Sequence, residues 1–462
     1  MKTWIHACLA AGGITAAHAS QYTIAETLEI SQVPADFRVG FSLLTTPDRQ
    51  YAAYYDTQRH MTVASRTLDS SRWIYQKLPS KVGWDSHNYV TMAIDARGNL
   101  HVSGNLHADP LVYFRTTKPG DITTFEPAEM TGELENRMTY PRFFTDHQDR
   151  LIFTYRHGGS GNGINLYNRY DPDTRTWSRL LDTPLFDGEG LRNAYPGGPS
   201  LGPDGYFHVR WVWRHTPDCA TNHHLSHARS RDLVHWESTF GEQIDLPIRF
   251  DQEELVVDPI PSDGGIINGG HRLQFDSANR PVIVYHKNDA DGNMQIYAAR
   301  PVDGKWEHNV LTQWEHPVPF SGRGSMGFIG IRINDFSKIA PGVFGISYRH
   351  KDYGSGMLQI DEHALAAVED KIAVQPKLPR SLNRVESDFP GMQIRRAQDL
   401  GNCGTDGVRY ILHWESLGPN QDRPRQAPVP APSTLRLHKL VPSSSISIRN
   451  RSARSTTPAT EN

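Results

Sequence analysis

Apolar and polar positions alternate in short bursts along this chain, and one order of bursts recurs. An extended segment is followed by a polar turn built on Asp, Gly, Asn or Pro. A second, more apolar segment then ends in aromatic or charged residues. The second segments are YAAYYD (51–56), LHVSGN (100–105), LIFTYR (151–156), YFHVRWVWR (206–214), RPVIVYHK (280–287), GVFGISYRH (342–350) and VRYILHWE (408–415). Their partners begin near residues 38, 88, 139, 194, 268, 328 and 392. Short apolar bursts bounded by turn residues mark β-strands. Several units continue with a third strand and a Trp-containing fourth, as in INLYNRYDPDTRTWSRL (164–180), HLSHARSRDLVHWES (224–238) and MQIYAARPVDGKWEHNVL (294–311). A β-sandwich with insertions would not require such regular spacing. The pattern therefore predicts an all-β chain, a seven-bladed β-propeller with four-stranded antiparallel blades around a central channel.

Composition changes this picture little. Thirty-eight Gly and 31 Pro suit many turns, and a formal net charge of −3 gives no case for nucleic acid or an anionic membrane. The start of the chain adds a location. Lys2, the mostly apolar or small stretch Ile5 to Ala17, and Ala17-His18-Ala19 fit a secretion signal over residues 1–19, with the mature chain beginning at Ser20. A propeller domain is expected over 20–441, and the Ser/Arg/Thr-rich stretch 442–462 is expected to be a disordered tail. A secreted monomer follows, periplasmic or extracellular. Cys8 leaves with the signal, so Cys219 and Cys403 remain as the one pair that an oxidising compartment could join.

In a propeller, the start of each innermost strand and the end of the second strand meet at the channel mouth. His87, Asn88, Tyr140, Asn193, Tyr195 and His271 stand at strand starts. His107, Arg156, His157, Arg214, His215, His286, Lys287, Arg349 and His350 stand at or just past second-strand ends, and Arg323 (SGRGS) precedes the sixth unit. A funnel rich in Arg and His suits an anionic ligand. No nucleophilic triad, phosphate loop or dinucleotide fingerprint is present, and Asp56, Asp85, Asp109 and Glu415 supply no obvious carboxylate pair for a glycosidase. Elimination on a uronic acid fits the inventory better. It needs a cation on the carboxylate, a base for the C5 proton and an acid for the leaving O4.

The segments SHNYVTMAIDARGNLHVSGNLHADPLVYF, MTYPRFF…LIFTYRHGGSGNGINLYNRYD, RNAYPG…GYFHVRWVWR and GGHRLQFD…RPVIVYHKNDADGNMQIYAAR resemble the seven-bladed propeller polysaccharide lyases. That group includes ulvan lyases and rhamnose-α-1,4-glucuronate lyases, and it is similar to an α-rhamnosidase family on the same scaffold. The likeness covers about residues 35–440 and lies nearest the rhamnose-glucuronate branch. It implies a lyase (a carbon–oxygen lyase on polysaccharides) that releases rhamnose and leaves a 4,5-unsaturated uronate. An internal, ulvan-type cut, hydrolysis of the same bond and a lectin are the alternatives. By position, His107 becomes the first choice for proton transfer, with His87 beside it and Tyr195 as an acid/base. Arg214 matches the arginine that neutralises the uronate. Asn88, Arg156, His271, His286 and Arg323 become substrate contacts. The chemistry requires no cofactor. The resemblance also raises a structural Zn or Ca, for which Cys219 and His223 are the available ligands. The expected partner is an acidic polysaccharide containing rhamnose and glucuronate.

Overall fold

The computed structural model describes residues 20–443, so the secretion signal and the tail beyond Ser443 lie outside the described residues. Four short 3-10 turns interrupt an otherwise all-β chain. The strands form antiparallel sheets in a propeller-like arrangement, seven of them among the described residues. Each predicted strand–turn–strand pair opens one sheet. Examples are Ser42–Thr45 with Arg49–Tyr55, Val90–Ile94 with Leu100–Gly104, Met138–Thr145 with Leu151–Gly159, and Asn193–Leu201 with Phe207–Arg214.

The turns explain why the pattern repeats. Asp95, Asp146 and Asp276 each close the first strand of a unit. Asp95 Oδ1 accepts the backbone N–H groups of Arg97 and Asn99 at 2.9 and 2.8 Å. Asp146 does the same for Gln148 and Arg150 at 2.9 and 3.0 Å, and Asp276 for Ala278 and Arg280 at 3.0 and 2.9 Å. One carboxylate thus satisfies two turn donors that strand pairing leaves free. Second strands are buried almost throughout, as in Arg49–Tyr55 and Pro281–Asn288, because neighbouring sheets cover both faces. Each fully buried Leu, Val or Phe there contributes roughly 1.5–3 kcal/mol.

First strands are tied to one another in sequence. Val90 N–H donates to Gly40 O at 3.1 Å, Tyr89 OH to Pro141 O at 3.0 Å, and Arg142 Nη2 to Pro199 O at 2.8 Å. Arg272 Nη2 reaches Ile333 O at 2.8 Å, and Asp399 bonds Thr45 N–H at 2.9 Å.

Several expectations need correction. Tyr22–Val33 is a strand outside the seven recurring pairs. It pairs with Ser433–Pro442 and completes the last sheet, so the two ends of the described chain close on one another. LRLHKLV (435–441) is a strand as expected, and Pro442, assigned to the tail, ends it. The sixth sheet has three strands, not four. Cys219 and Cys403 are free thiols, Cys219 buried, so the pairing left open by the sequence is not formed. His107–Asp109 is a separate short strand. It leaves the second sheet and pairs with the first strand of the third, because Asn105 and Ala108 adopt left-handed φ values of 58° and 63° and turn the chain.

Candidate functional site

The turn at 105–108 carries His107 back over Trp84–His87. There Asp85 holds both imidazoles. His87 Nδ1 donates to Asp85 Oδ1 at 2.7 Å, and His107 Nδ1 donates to Asp85 Oδ2 in a short contact. The rings stack with centroids 4.2 Å apart. Asp85 also accepts the His87 backbone N–H at 2.8 Å, which fixes the DSH turn. Burial alone would raise the Asp85 carboxyl, but the hydrogen bonds from His107 and His87 and the charge on His107 outweigh it and hold it well below the usual carboxylate range. With Nδ1 protonated toward Asp85, each neutral ring keeps Nε2 as an acceptor.

Tyr140 lies beside His87, ring centroids 6.0 Å apart, and Tyr195 lies 6.3 Å beyond Tyr140. Tyr140 has φ 59° at a register shift between Thr139 and Arg142, and this bulge aims its ring at the histidines. Burial, reinforced by the neighbouring Tyr195, pushes the Tyr140 phenol up to about 12 against the pull of Arg156 and Arg214. Tyr195 OH shares a 2.6 Å hydrogen bond with Ser160 Oγ.

The two arginines lie under these rings rather than in front of them. Arg156 is 1% exposed, its guanidinium 5.0 Å from the Tyr140 ring centre and 6.0 Å from that of Tyr195. Its Nη2 donates to Thr139 Oγ1 at 3.0 Å, while Nε and Nη1 have no partner. Gly163 makes room for it, since a Cβ there would stand 3.0 Å from Arg156 Cδ. Arg214 lies 5.4 Å from the Tyr195 ring centre. Its Nε donates to Thr216 O at 3.0 Å and Asp218 O at 3.2 Å, and its Nη2 to Pro217 O. A guanidinium so engaged has its donors turned to backbone carbonyls and its face toward the Tyr195 ring. Arg156 differs: it lies beside both tyrosine rings with two donor nitrogens uncommitted.

Three more of the expected contacts are buried residues. Asn88 is buried and donates to Asn105 Oδ1 at 3.0 Å, fixing the hairpin. His271 and His286 are buried in the fifth sheet, 2% and 0% exposed. His286 Nδ1 donates to Gly265 O at 2.8 Å, and burial, aided by Arg272, lowers its imidazole to about 4. Arg323 is exposed, on a segment that crosses between sheets. Gly322 N–H donates to Asp218 Oδ1 at 2.9 Å, and Ser325 N–H to Asp422 Oδ2 at 2.9 Å.

Asp422 is a site residue that no sequence motif marks, while Tyr140 and Asp85, visible near the mouth in the sequence, gain their roles only here. Asp422 comes from the Pro-rich stretch at 419–432 and places Oδ2 3.5 Å from His87 Nδ1. The spacing of Asp85 two residues before His87 was the available signal. Ligand atoms of Asp85, His87, His107 and Asp422 lie within 4.8 Å of one another, and no other such group occurs among the described residues. A cation there would replace the imidazole–carboxylate hydrogen bonds. Cys219 and His223 belong to no such group; His223 instead stacks on His215 at 4.1 Å, so they do not fit a metal.

The fold and mouth together define an all-β repeat protein with a polar site built from two imidazoles, a carboxylate and two phenols. The BNR repeat-containing family model matches residues 49–314, more than half of the chain, and the chain belongs to this family. It is 40% identical over 79 residues to the long isoform of an ulvan lyase from Glaciecola sp. (strain KUL10) and 34% identical over 74 residues to the short isoform from Alteromonas sp. (strain LOR). These segments are 16% and 15% of this chain and span only 8% and 14% of the relatives' own lengths. Polysaccharide lyase Uly1 superposes with a TM-score of 0.59 at 13% identity, over 91% of this chain and 99% of that one. A PL25 ulvan lyase, also solved with -[GlcA(1-4)Rha3S]- bound, superposes with a TM-score of 0.54 at 14% identity, over 94% of this chain and 99% of its own. The expected likeness to propeller polysaccharide lyases is borne out.

Proposed function

We propose that this chain is a secreted polysaccharide lyase that breaks the L-rhamnose-α-1,4-D-glucuronate linkage by β-elimination and leaves a 4,5-unsaturated uronate. In this reading the seven sheets are the seven blades of one catalytic domain over residues 20–441, acting as a monomer on an acidic polysaccharide. The observation that carries it is the Asp85-held histidine pair. Both Nδ1–H groups are committed to one carboxylate, so both Nε2 atoms are free acceptors. His107 Nε2 takes the C5 proton, with His87 as its partner. Tyr195, or Tyr140 with its phenol pushed up to about 12, gives a proton to the departing O4. The steps require no cofactor.

Hydrolysis is less well served. Asp85 and Asp422 both face His87, and two carboxylates gathered on one group do not straddle a glycosidic bond. The relatives are named ulvan lyases, and the oligosaccharide bound to the PL25 ulvan lyase contains both sugars of the proposed bond.

The test offers the protein ulvan and, separately, a polysaccharide whose side chains end in rhamnosyl-glucuronate, in isotopically labelled water. Elimination gives ultraviolet absorbance from the unsaturated uronate and no label in the products. Labelled reducing ends without absorbance would make the protein a hydrolase. Binding without any product would make it a lectin. Oligosaccharide products mark the internal cut, and free rhamnose marks the terminal one.

A further inference from the structure

The inner strands carry a feature that the histidine site does not use. Five of the seven units have an arginine on or just before the first strand: Arg38, Arg142, Arg272, Arg332 and Arg395. The fourth unit has Gly197 at that place, and its register partner Arg210, from the second strand, lies over it. A Cβ on Gly197 would stand 3.1 Å from the Arg210 guanidinium carbon, so glycine is what admits the sixth arginine.

The first strands of these units adjoin one another, linked by Arg142 Nη2 to Pro199 O and Arg272 Nη2 to Ile333 O. Burial, then Arg272 and Arg142, lowers the Arg210 guanidinium to about 10, and burial, then Arg38 and Arg332, does the same for Arg395. Arg332 likewise presses on Arg272, after burial. All remain cationic at neutral pH. Among the described residues no carboxylate oxygen comes within 4.0 Å of any of the six. Asp335, the acid nearest Arg272 in effect, is paired with Lys377 at 2.9 Å. The hydrogen bonds that Arg142, Arg210 and Arg272 make are to backbone carbonyls, and Arg210 Nε has no partner at all. Arg38 and Arg332 are exposed and make no side-chain hydrogen bond. A cavity of about 470 Å³ joins Arg38 and Arg395 to His87 and Tyr140, so these two arginines open onto the mouth.

We propose that this arginine-lined lumen is an oxyanion-binding site, selective for the chemistry of sulfate or carboxylate. Six like charges held together without a counter-charge repel, and a multiply charged oxyanion relieves that repulsion and accepts several guanidinium donors at once. The oxyanion is either free in solution or a substituent on an acidic polysaccharide.

The probe is inorganic sulfate, and its binding is read without any turnover, so the outcome is independent of the lyase reading. Thermal unfolding is followed while sodium sulfate is titrated against sodium chloride at matched ionic strength. The wild type should show a saturable rise in melting temperature with sulfate that chloride does not give. The double variant Arg38→Gln/Arg332→Gln removes two guanidiniums that hold no structural bond, and it should weaken the apparent sulfate affinity by about tenfold or more. Equal effects of sulfate and chloride on the wild type, or an unchanged sulfate affinity in a folded variant, would overturn the site. A second arm measures displacement of a sulfated rhamnose–glucuronate polymer by sulfate. Displacement assigns the lumen to a polymer-borne group; sulfate binding without displacement assigns it to a free ion.

Discussion

Two pairs of histidines flank the first two strands of their units and have become different objects. His87 stands before one unit's first strand and His107 past the end of its second; His271 stands just before the fifth unit's first strand and His286 within its second. The first pair is half-buried and shares a carboxylate. The second pair is buried with no carboxylate, and both are held below the ordinary imidazole value by desolvation first. Position in a repeat therefore does not assign chemistry. A partner that orients Nδ1 and an open path to Nε2 do.

The largest test of that contrast is deletion of the exposed pair. His107→Ala should lower turnover by about 10²–10⁴-fold, the range for loss of a positioned acid or base, with the melting temperature little changed. Near-wild-type turnover in steady-state assays would remove His107 from the chemistry. Next in size is the carboxylate. Asp85→Asn leaves the turn but gives the imidazoles an amide in place of an anion, so one Nδ1–H loses its acceptor. Turnover should fall on the order of tenfold to a hundredfold. Unchanged turnover would mean that Asp85 only shapes the turn.

The strand order was legible because second strands are apolar on both faces and turns begin with Asp, so periodicity and turn chemistry agree. The closing strand was not. Tyr22–Val33 pairs with residues four hundred positions away, and nothing local in YTIAETLEISQV names its partner. The histidine pair was legible for the same reason that hairpins are, through short-range geometry. Asp422 was not, since a loop residue in a Pro-rich stretch carries no period. The roles of Arg156 and Arg214 also needed the structure. Sequence shows a cation near a mouth, whereas the carbonyls of Thr216, Pro217 and Asp218 decide which way the guanidinium points.

For the buried pair the expected signature is in stability rather than turnover. His286 has an ordinary value of 6.5 in the unfolded chain and about 4 when folded. Above pH 6.5 neither state takes up the proton, and the stability from the neutral ring is fully present. Between 6.5 and 4 the unfolded chain binds a proton that the folded one refuses, so stability falls as pH falls, by up to about 3 kcal/mol from this group. Urea unfolding across that window should show the slope in the wild type and a flatter one in His286→Asn. Turnover per folded molecule at neutral pH should stay the same. An equal slope in both proteins would mean that other groups, such as His438, which is also held near 4 chiefly by burial, account for the loss.

The smallest expected effect separates support from contact. Arg214 lies 5.4 Å from the Tyr195 ring centre and gives its donors to three backbone carbonyls. Lysine keeps the charge but cannot fork across those acceptors, so Arg214→Lys should leave Tyr195 less well held. If Arg214 only positions the phenol, kcat falls by about fivefold, roughly 1 kcal/mol of transition-state stabilisation, and KM stays nearly constant. If it gripped the substrate carboxylate, KM would rise instead, steeply with salt, as contacts between exposed charges do. Tyr195→Phe supplies the control, because combining it with Arg214→Lys should cost little more than Tyr195→Phe alone when the arginine acts through that hydroxyl. Additive losses in the double variant would place Arg214 on the substrate side of the site, and the distinction drawn between the exposed imidazoles and their buried supports would then have to be moved.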